Sequence, residues 1–319
     1  MIVSSPPLTV GISALILKWF KRIPFIFEIR DLWPESAIDT RVLTNKFMIK
    51  AAFSLESRLY QKAHLINVLT PAMQDVLITK KSIAAEKIVY FPNAADFDIS
   101  DRLLATFDKV AFRKKIGIPD NITALCYVGA HGVANHLIQI IEAAEILKNE
   151  PVMFFLIGDG MLKQQLINTA KERGLDNMVF VDSVVKEEAL KYILACDLGL
   201  SVHKKADTFK TDFSNKTFDY MACKKPVIMA IDGISTTLIE TADAGTFVEP
   251  EQHLQLVQTI KMYMTQPEKI IRQGENGYNY AKSHFDRSVL ASNYIKTIEQ
   301  SLNKNVKLAN SFKTDNIVS

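Results

Sequence analysis

Short, unbroken apolar runs recur along this 319-residue chain, separated by longer stretches in which apolar residues return every three or four positions. A run of Val, Ile, Leu and Phe without clean alternation has no polar face to turn to water, so it belongs in a sheet covered on both sides. The intervening periodic stretches supply the covering helices. Strand and helix alternating from end to end define an α/β chain built of parallel units. In the first third the runs fall at 2–5, 25–29, 65–70 and 87–91, with helical patterns at 8–22, 44–62 and 71–79. After "FPNAADFDI" comes a charged segment that contains a helix and ends in "KKIGIPDN". A second series opens with "ALCYVGA" and continues with strands at 153–157, 178–181, 198–202 and 226–230. Its helices fall at 137–148, 162–173, 186–195 and directly behind the loop that ends near residue 214. The expected organisation is a first domain over 1–110, a second over 111–286, a terminal helix over 287–302 and a disordered tail over 303–319.

With 48% apolar residues the chain can fill two medium cores. A formal charge of +3 from 38 basic and 35 acidic residues is too balanced for the phosphate-neutralising surface of a nucleic-acid binder, and no nucleic-acid partner is expected. Cys126, Cys196 and Cys223 lie too far apart for a zinc site or a disulfide framework; they read as small buried residues in a reducing compartment. No apolar run approaches the roughly 20 residues that cross a bilayer. "LTVGISALILKWF" lacks the basic start and the cleavage site of a signal peptide, so the expected location is the cytoplasm.

Ligands of open parallel sheets bind outside the carboxyl ends of the strands. In the second series the loops at those ends are "GAHGVANH", "GDG", "DSVVKEE" and "HKKADTFKTDFSNK". Small residues at such turns let backbone N–H groups approach a ligand closely. The last loop runs straight into a helix. A helix start offers up to four unpaired N–H groups and about half a positive charge, and Lys216 adds a full one, which favours a phosphate or diphosphate. Ser214 or Asn215 can cap that helix, and capping alone is the plainer reading of both.

The segment "SNKTFDYMACKKPVI" resembles the donor-site helix of the retaining GT-B glycosyltransferases of family four. The usual form there is roughly Pro-Ser-Lys, two residues, Glu-Tyr-Met-Ala, two residues, Lys-Pro-Val-Ile. Lys216, Tyr220, Met221, Ala222, Lys225, Pro226, Val227 and Ile228 match it, Asn215 replaces a small residue and Lys224 a glycine. "SSPP", "DLWPES", "VLTPAMQDVL", "FPNAAD", "YVGAHG" and "LIGDG" are similar to landmarks of the subset that builds bacterial surface polysaccharides, O-antigen and capsule included. The resemblance implies a GT-B fold of two Rossmann-like, doubly wound domains, and a sugar transfer with retention. Its donor is a nucleotide sugar, UDP- or GDP-linked, and its acceptor a polyprenyl-diphosphate-linked saccharide at the inner membrane face.

Residue by residue, the resemblance puts Asp219 on the nucleotide ribose in place of the usual Glu. The alternative for Asp219 is a helix carboxylate paired with a nearby lysine. Thr211 stands where many relatives carry a Glu that points at the donor sugar. Gly129 and Gly132 fit the glycine-rich turn of the first loop, but the basic pair of many relatives is absent, leaving His131 and backbone amides to meet the diphosphate. With Gly158, Ser183, Val184, Ser214, Asn215 and Thr217 these residues form the implied donor site. Arg30 and Asp31 stand where relatives have a His and an Asp. Arg30 then binds a diphosphate or an acceptor carboxylate while Asp31 orients or deprotonates an acceptor hydroxyl, or else the two pair and hold the "DLWPES" loop. Lys216 and the helix start stabilise the leaving diphosphate. No Asp-x-Asp pair stands at a strand end, so no metal and no other cofactor is expected.

Lys18, Trp19, Phe20, Lys21 and Arg22 form a basic-aromatic cluster suited to an anionic membrane surface, or simply a solvated helix end. Relatives begin about a hundred residues before "SSPP", so the first domain reads as truncated, with 2–5 as an open apolar edge. The alternatives to an active transferase are a remnant that only binds nucleotide sugar and a GT-B sugar-nucleotide epimerase.

Overall fold

The computed structural model describes residues 1–302; the expected disordered tail over 303–319 lies outside the described residues. The chain forms two compact units. The first comprises residues 1–93, 206–213 and the chain from Leu290; the second comprises 94–205 and 214–289.

The first unit runs β1 (Ile2–Ser5), α1 (Val10–Lys21), β2 (Ile26–Ile29), α2 (Glu35–Asp39), α3 (Lys46–Lys62), β3 (Leu65–Val68), α4 (Pro71–Thr79) and β4 (Ile88–Tyr90). All pairings are parallel, in the order β1-β2-β3-β4. Phe25, Phe27, Ile29, Ile66 and Val68 are buried together with Leu8, Leu59 and Leu77, so apolar side chains cover the sheet. Thr70 caps α4 by accepting from the Met73 N–H, with Pro71 at the first helical position, where its missing N–H costs nothing. Strand β1 lies at the edge of the sheet: Ile2 is 52% exposed, and among the described residues no strand pairs with its outer side. The short helix α2, unread in "DLWPES", is held by Glu35, which shares the Lys81 ammonium with buried Glu56.

The second unit runs α5 (Phe97–Thr106), α6 (Lys109–Lys115), β5 (Thr123–Val128), α7 (Ile138–Ile146), β6 (Val152–Ile157), α8 (Lys163–Glu172), β7 (Met178–Val181), α9 (Lys186–Ala195), β8 (Leu198–Val202), α10 (Asn215–Ala222), β9 (Val227–Ala230), α11 (Ile234–Thr241), β10 (Gly245–Phe247), α12 (His253–Thr265) and α13 (Pro267–His284). A last helix, α14 (Arg287–Leu302), begins at its end. Residues 94–110, read with the first domain, group with this unit. Ala95 and Arg287 exchange a backbone bond of 3.0 Å, and Asp101 takes the Tyr278 hydroxyl and the Lys282 ammonium. Conversely, α14 beyond Leu290 packs on the first unit, with Tyr294 against Phe91 at 4.7 Å and a His64 ring nitrogen 3.1 Å from the Ser301 carbonyl.

The six strands are parallel in the order β10-β9-β8-β5-β6-β7. Chain order therefore reverses between β5 and β8, and a reversal of this kind leaves a crevice at the carboxyl ends. Strands β5 and β6 pair along all of β5, whereas β5 and β8 pair only at Leu125↔Leu198 and Cys126↔Gly199. Beyond that point the Tyr220 hydroxyl takes over: it accepts from the Val128 N–H at 3.0 Å and donates to the Leu200 carbonyl at 3.0 Å. Gly199 makes room for the ring, since a Cβ there would lie 2.4 Å from Tyr220 Cγ.

Tyr220→Phe leaves a buried N–H and a buried carbonyl without that hydroxyl. It is expected to cost about 1–3 kcal/mol, read as a lower urea midpoint for unfolding of the second unit at unchanged slope.

Candidate functional site

Helix α10 starts beside this crevice. Ser214 occupies the capping position, yet its side chain makes no cap. Its Oγ instead accepts from Ser201 Oγ at 2.8 Å and from the Lys216 ammonium at 3.3 Å. Among the described residues no protein acceptor takes the N–H of Asn215 or of Lys216, while the Thr217 N–H turns back to the Ser214 carbonyl. The reading of Ser214 as a helix cap is thus replaced by a buried hydroxyl chain, and the first N–H groups of α10 stay available. Thr217, expected on the ligand, is buried with its hydroxyl 3.4 Å from Ser201 Oγ, so only its backbone remains for that role. Asn215 is exposed.

Lys216 is the dominant charge. Its ammonium lies 4.9 Å from the centre of the Tyr127 ring, and among the described residues it has no carboxylate within ion-pairing distance. Burial pushes its pKa down to about 8, against a partial upward pull from Asp219. The same burial, with Lys216 nearby, pushes His203 down to about 3, so that ring is neutral and adds no second cation. A buried ammonium with one hydroxyl and one aromatic face is under-neutralised, and an incoming anion relieves it.

Backbone bonds join the next loops along the sheet. Gly129 N–H donates to Ile157 O, Gly158 N–H to Val181 O and His131 N–H to Asp159 O. Gly158, at φ +146°, cannot carry a side chain: a Cβ would stand 1.9 Å from Gly129 O. At Gly129, φ +149°, a Cβ would press on Lys216 Cε at 3.1 Å. Gly132 has ordinary extended backbone and open space, so its glycine is not required by the turn. The His131 ring, expected to meet a diphosphate, is fully buried between Tyr127 and Phe180, neither ring nitrogen has a partner among the described residues, and burial lowers its pKa. Its backbone is spent as well: the N–H on Asp159 O, and the carbonyl on the Leu162 N–H.

Ser183 is exposed after β7, and Val184 packs half-buried on the core beneath it. Asp219 pairs with Lys186 at 2.5 Å, which is the alternative raised for it above, while burial raises its pKa. Lys186 and Lys163, absent from the sequence reading, both tie loops of this face. Lys163 donates to Gly158 O, Val181 O and Asp182.

In the first unit, Arg30 is exposed at the end of β2 and makes no ion pair with Asp31. The "DLWPES" loop is held instead by Ser36, which donates to Asp31 at 2.9 Å, and by the Glu35–Lys81 pair. The second oxygen of Asp31 is buried and has no hydrogen-bond partner among the described residues, and burial raises the group's pKa. Asp212, also in this unit, is pushed well above the carboxylate range by burial and by Asp31. Thr211 is fixed through its carbonyl, which accepts from Thr70 at 2.5 Å. Among the described residues no cluster of His, Cys, Asp or Glu is arranged to hold a metal ion, and all three cysteines are buried and free.

Residues 108–280, more than half of the chain, match the sequence profile of the family described as "Glycosyl transferases group 1". The chain belongs to that family. WcaI of Escherichia coli (strain K12), named as a colanic acid biosynthesis glycosyl transferase, is 34% identical over 115 residues, covering 36% of this chain and 28% of WcaI. The match thus spans less than a third of that relative. Anabaena Alr3699/HepE, crystallised with UDP, superposes with a TM-score of 0.76 at 17% identity over 93% of this chain and 78% of its own. WaaG, a glycosyltransferase involved in lipopolysaccharide biosynthesis, does so with 0.70 at 17% over 92% and 84%. At these identities the likeness shows the fold, the parallel α/β architecture of GT-B glycosyltransferases.

Burial pushes two lysines, Lys216 and Lys225, down to about 8. An NMR titration of lysine side-chain carbons is expected to show two signals moving near that pH, and Lys216→Met should remove one of them.

Proposed function

We propose that the protein moves a sugar from a UDP-linked donor to a polyprenyl-diphosphate-linked saccharide, with retention, in the assembly of a surface polysaccharide. One observation carries this reading: the under-neutralised Lys216 ammonium stands beside the free N–H groups that open α10, at the reversal of strand order. A diphosphate placed there meets a full charge, a helix N-terminus and glycine-lined backbone together. Asp219, steadied by Lys186, takes the ribose hydroxyls, and the 182–184 turn lies further along the same face.

In the proposed step the acceptor hydroxyl attacks the anomeric carbon from the face that the diphosphate leaves. The C–O bond to the diphosphate breaks, the new glycosidic bond forms, and the hydroxyl proton passes to the leaving phosphate oxygen. Lys216 and the α10 N–H groups hold the charge that develops on that oxygen. The chain's own cation carries this load in the proposal, with no metal cofactor. On the acceptor side, Asp31 has a carboxylate oxygen without a protein partner and a raised pKa, which suits orienting or accepting from a hydroxyl. Arg30, exposed and without an ion pair among the described residues, suits an acceptor phosphate. Trp19 and Phe20, 76% and 69% exposed beside Lys21 and Arg22, suit an anionic membrane surface where such an acceptor resides.

Lys216→Met is expected to lower kcat about 100-fold, by analogy with loss of an oxyanion donor, and to weaken UDP binding. Wild-type UDP affinity should fall as pH rises through about 8, because the ammonium is charged below that value and neutral above it; Lys216→Met should abolish the dependence. A glycosylated lipid as product supports the transferase, and a free epimerised nucleotide sugar overturns it. Co-sedimentation with vesicles containing anionic lipid checks the membrane contact: Trp19→Ser with Phe20→Ser should shift protein to the supernatant.

A further inference from the structure

Lys163 opens α8 at the carboxyl end of β6. Its side chain is 11% exposed, and each of its three N–H donors has an acceptor: Gly158 O at 2.9 Å, Val181 O at 3.2 Å and Asp182 Oδ1 at 2.5 Å. Two of these acceptors are backbone carbonyls on different strand ends, β6 and β7. A saturated ammonium has nothing left to offer a ligand. Its effect is mechanical: together with the Gly158 N–H bond to Val181 O it ties the β6 loop to the end of β7 and so helps fix where residues 182–184 stand.

The sheet order gives that tie a consequence. Lys216 lies over Tyr127, at the end of β5, and β7 is two strands further on, about 10 Å away at the usual strand spacing. On the β8–β9 side stand buried Ser214 and Ser235, the Ser214 N–H donating to Ser235 Oγ. Toward β7 the floor is Gly129 and Gly158, without side chains. A nucleoside diphosphate anchored by its phosphates at Lys216 therefore extends across Gly158 toward the 182–184 turn, with its base at the end that Lys163 fixes.

We propose that Lys163 is a positioning residue for base recognition: by bridging Gly158 and Val181 it holds the 182–184 turn in the place where it meets the base of the nucleotide. This rests on the donor-site reading above. The test compares UDP with inorganic pyrophosphate by calorimetry. In Lys163→Met, UDP binding is expected to weaken about tenfold, with donor KM rising and kcat nearly constant, as for loss of uniform binding. Pyrophosphate, which needs only the Lys216 end, should bind within about twofold of wild type. Lys163→Arg, which keeps donors and charge, should recover part of the UDP loss, and Lys171→Met, exposed on the same helix, should change neither ligand. Equal weakening of UDP and pyrophosphate, or no weakening of either, would overturn the role of Lys163. Should wild type bind pyrophosphate but no nucleoside diphosphate, the donor-site reading itself fails, and the wild-type arm separates that outcome from the others.

Discussion

The second unit depends on a single hydroxyl. Where β5 and β8 stop pairing, two backbone groups would be left without partners inside the protein, and Tyr220 satisfies both while keeping the strands apart. The separation exists because Gly199 yields the space for the ring. An opening at a reversal of strand order is a general consequence of doubly wound sheets, but its width is set here by one aromatic side chain from α10. The helix that supplies the wedge also supplies the cation, so the crevice and its charge are built by the same eight residues, Asn215–Ala222.

Electrostatics then follow from burial. Lys216 is held at the edge of the crevice with a hydroxyl and a ring for company, and its lowered pKa records the cost of keeping it there. Nearby groups do not neutralise it: Asp219 is committed to Lys186, and His203 stays uncharged. The loops opposite are bound to one another through backbone groups and glycines, with Lys163 as a side-chain link, and Gly158 leaves peptide rather than side chain there. In the first unit the logic differs. Asp31 is raised mainly by burial, with Glu35 adding to it, and Asp212 by burial and by Asp31, so the protonation of both carboxylates is set by desolvation and like charge rather than by a cation.

The strands and the long amphipathic helices were legible because their periodicity is a direct imprint of two-sided burial: 178–181, 198–202, 71–79 and 186–195 fall where expected. In the stretch between Ala230 and the terminal helix at 287 no element was read. Its strand, Gly245–Phe247, has three half-buried residues, and α13 is polar along most of its length, so neither carries a strong apolar signal. At the site, the placement of Lys216 at a helix start followed from residue order. The direction of side chains did not: Thr217 and Ser214 look inward to Ser201, and His131 is swallowed between two rings, facts decided by packing across strands distant in sequence. Lys163 and Lys186 escaped notice for the same reason, since a lysine in a helix start is ordinary until its acceptors are known.

The central claim is that the start of α10 holds the diphosphate of an activated sugar. A crystal structure with UDP bound tests it most directly. The account predicts a phosphate oxygen within hydrogen-bonding distance of the Lys216 ammonium and of the Asn215 or Lys216 N–H, with the nucleoside lying over Gly158. Diphosphate density at the amino ends of the strands, or a nucleotide whose phosphates leave Lys216 without an anionic partner, would contradict it.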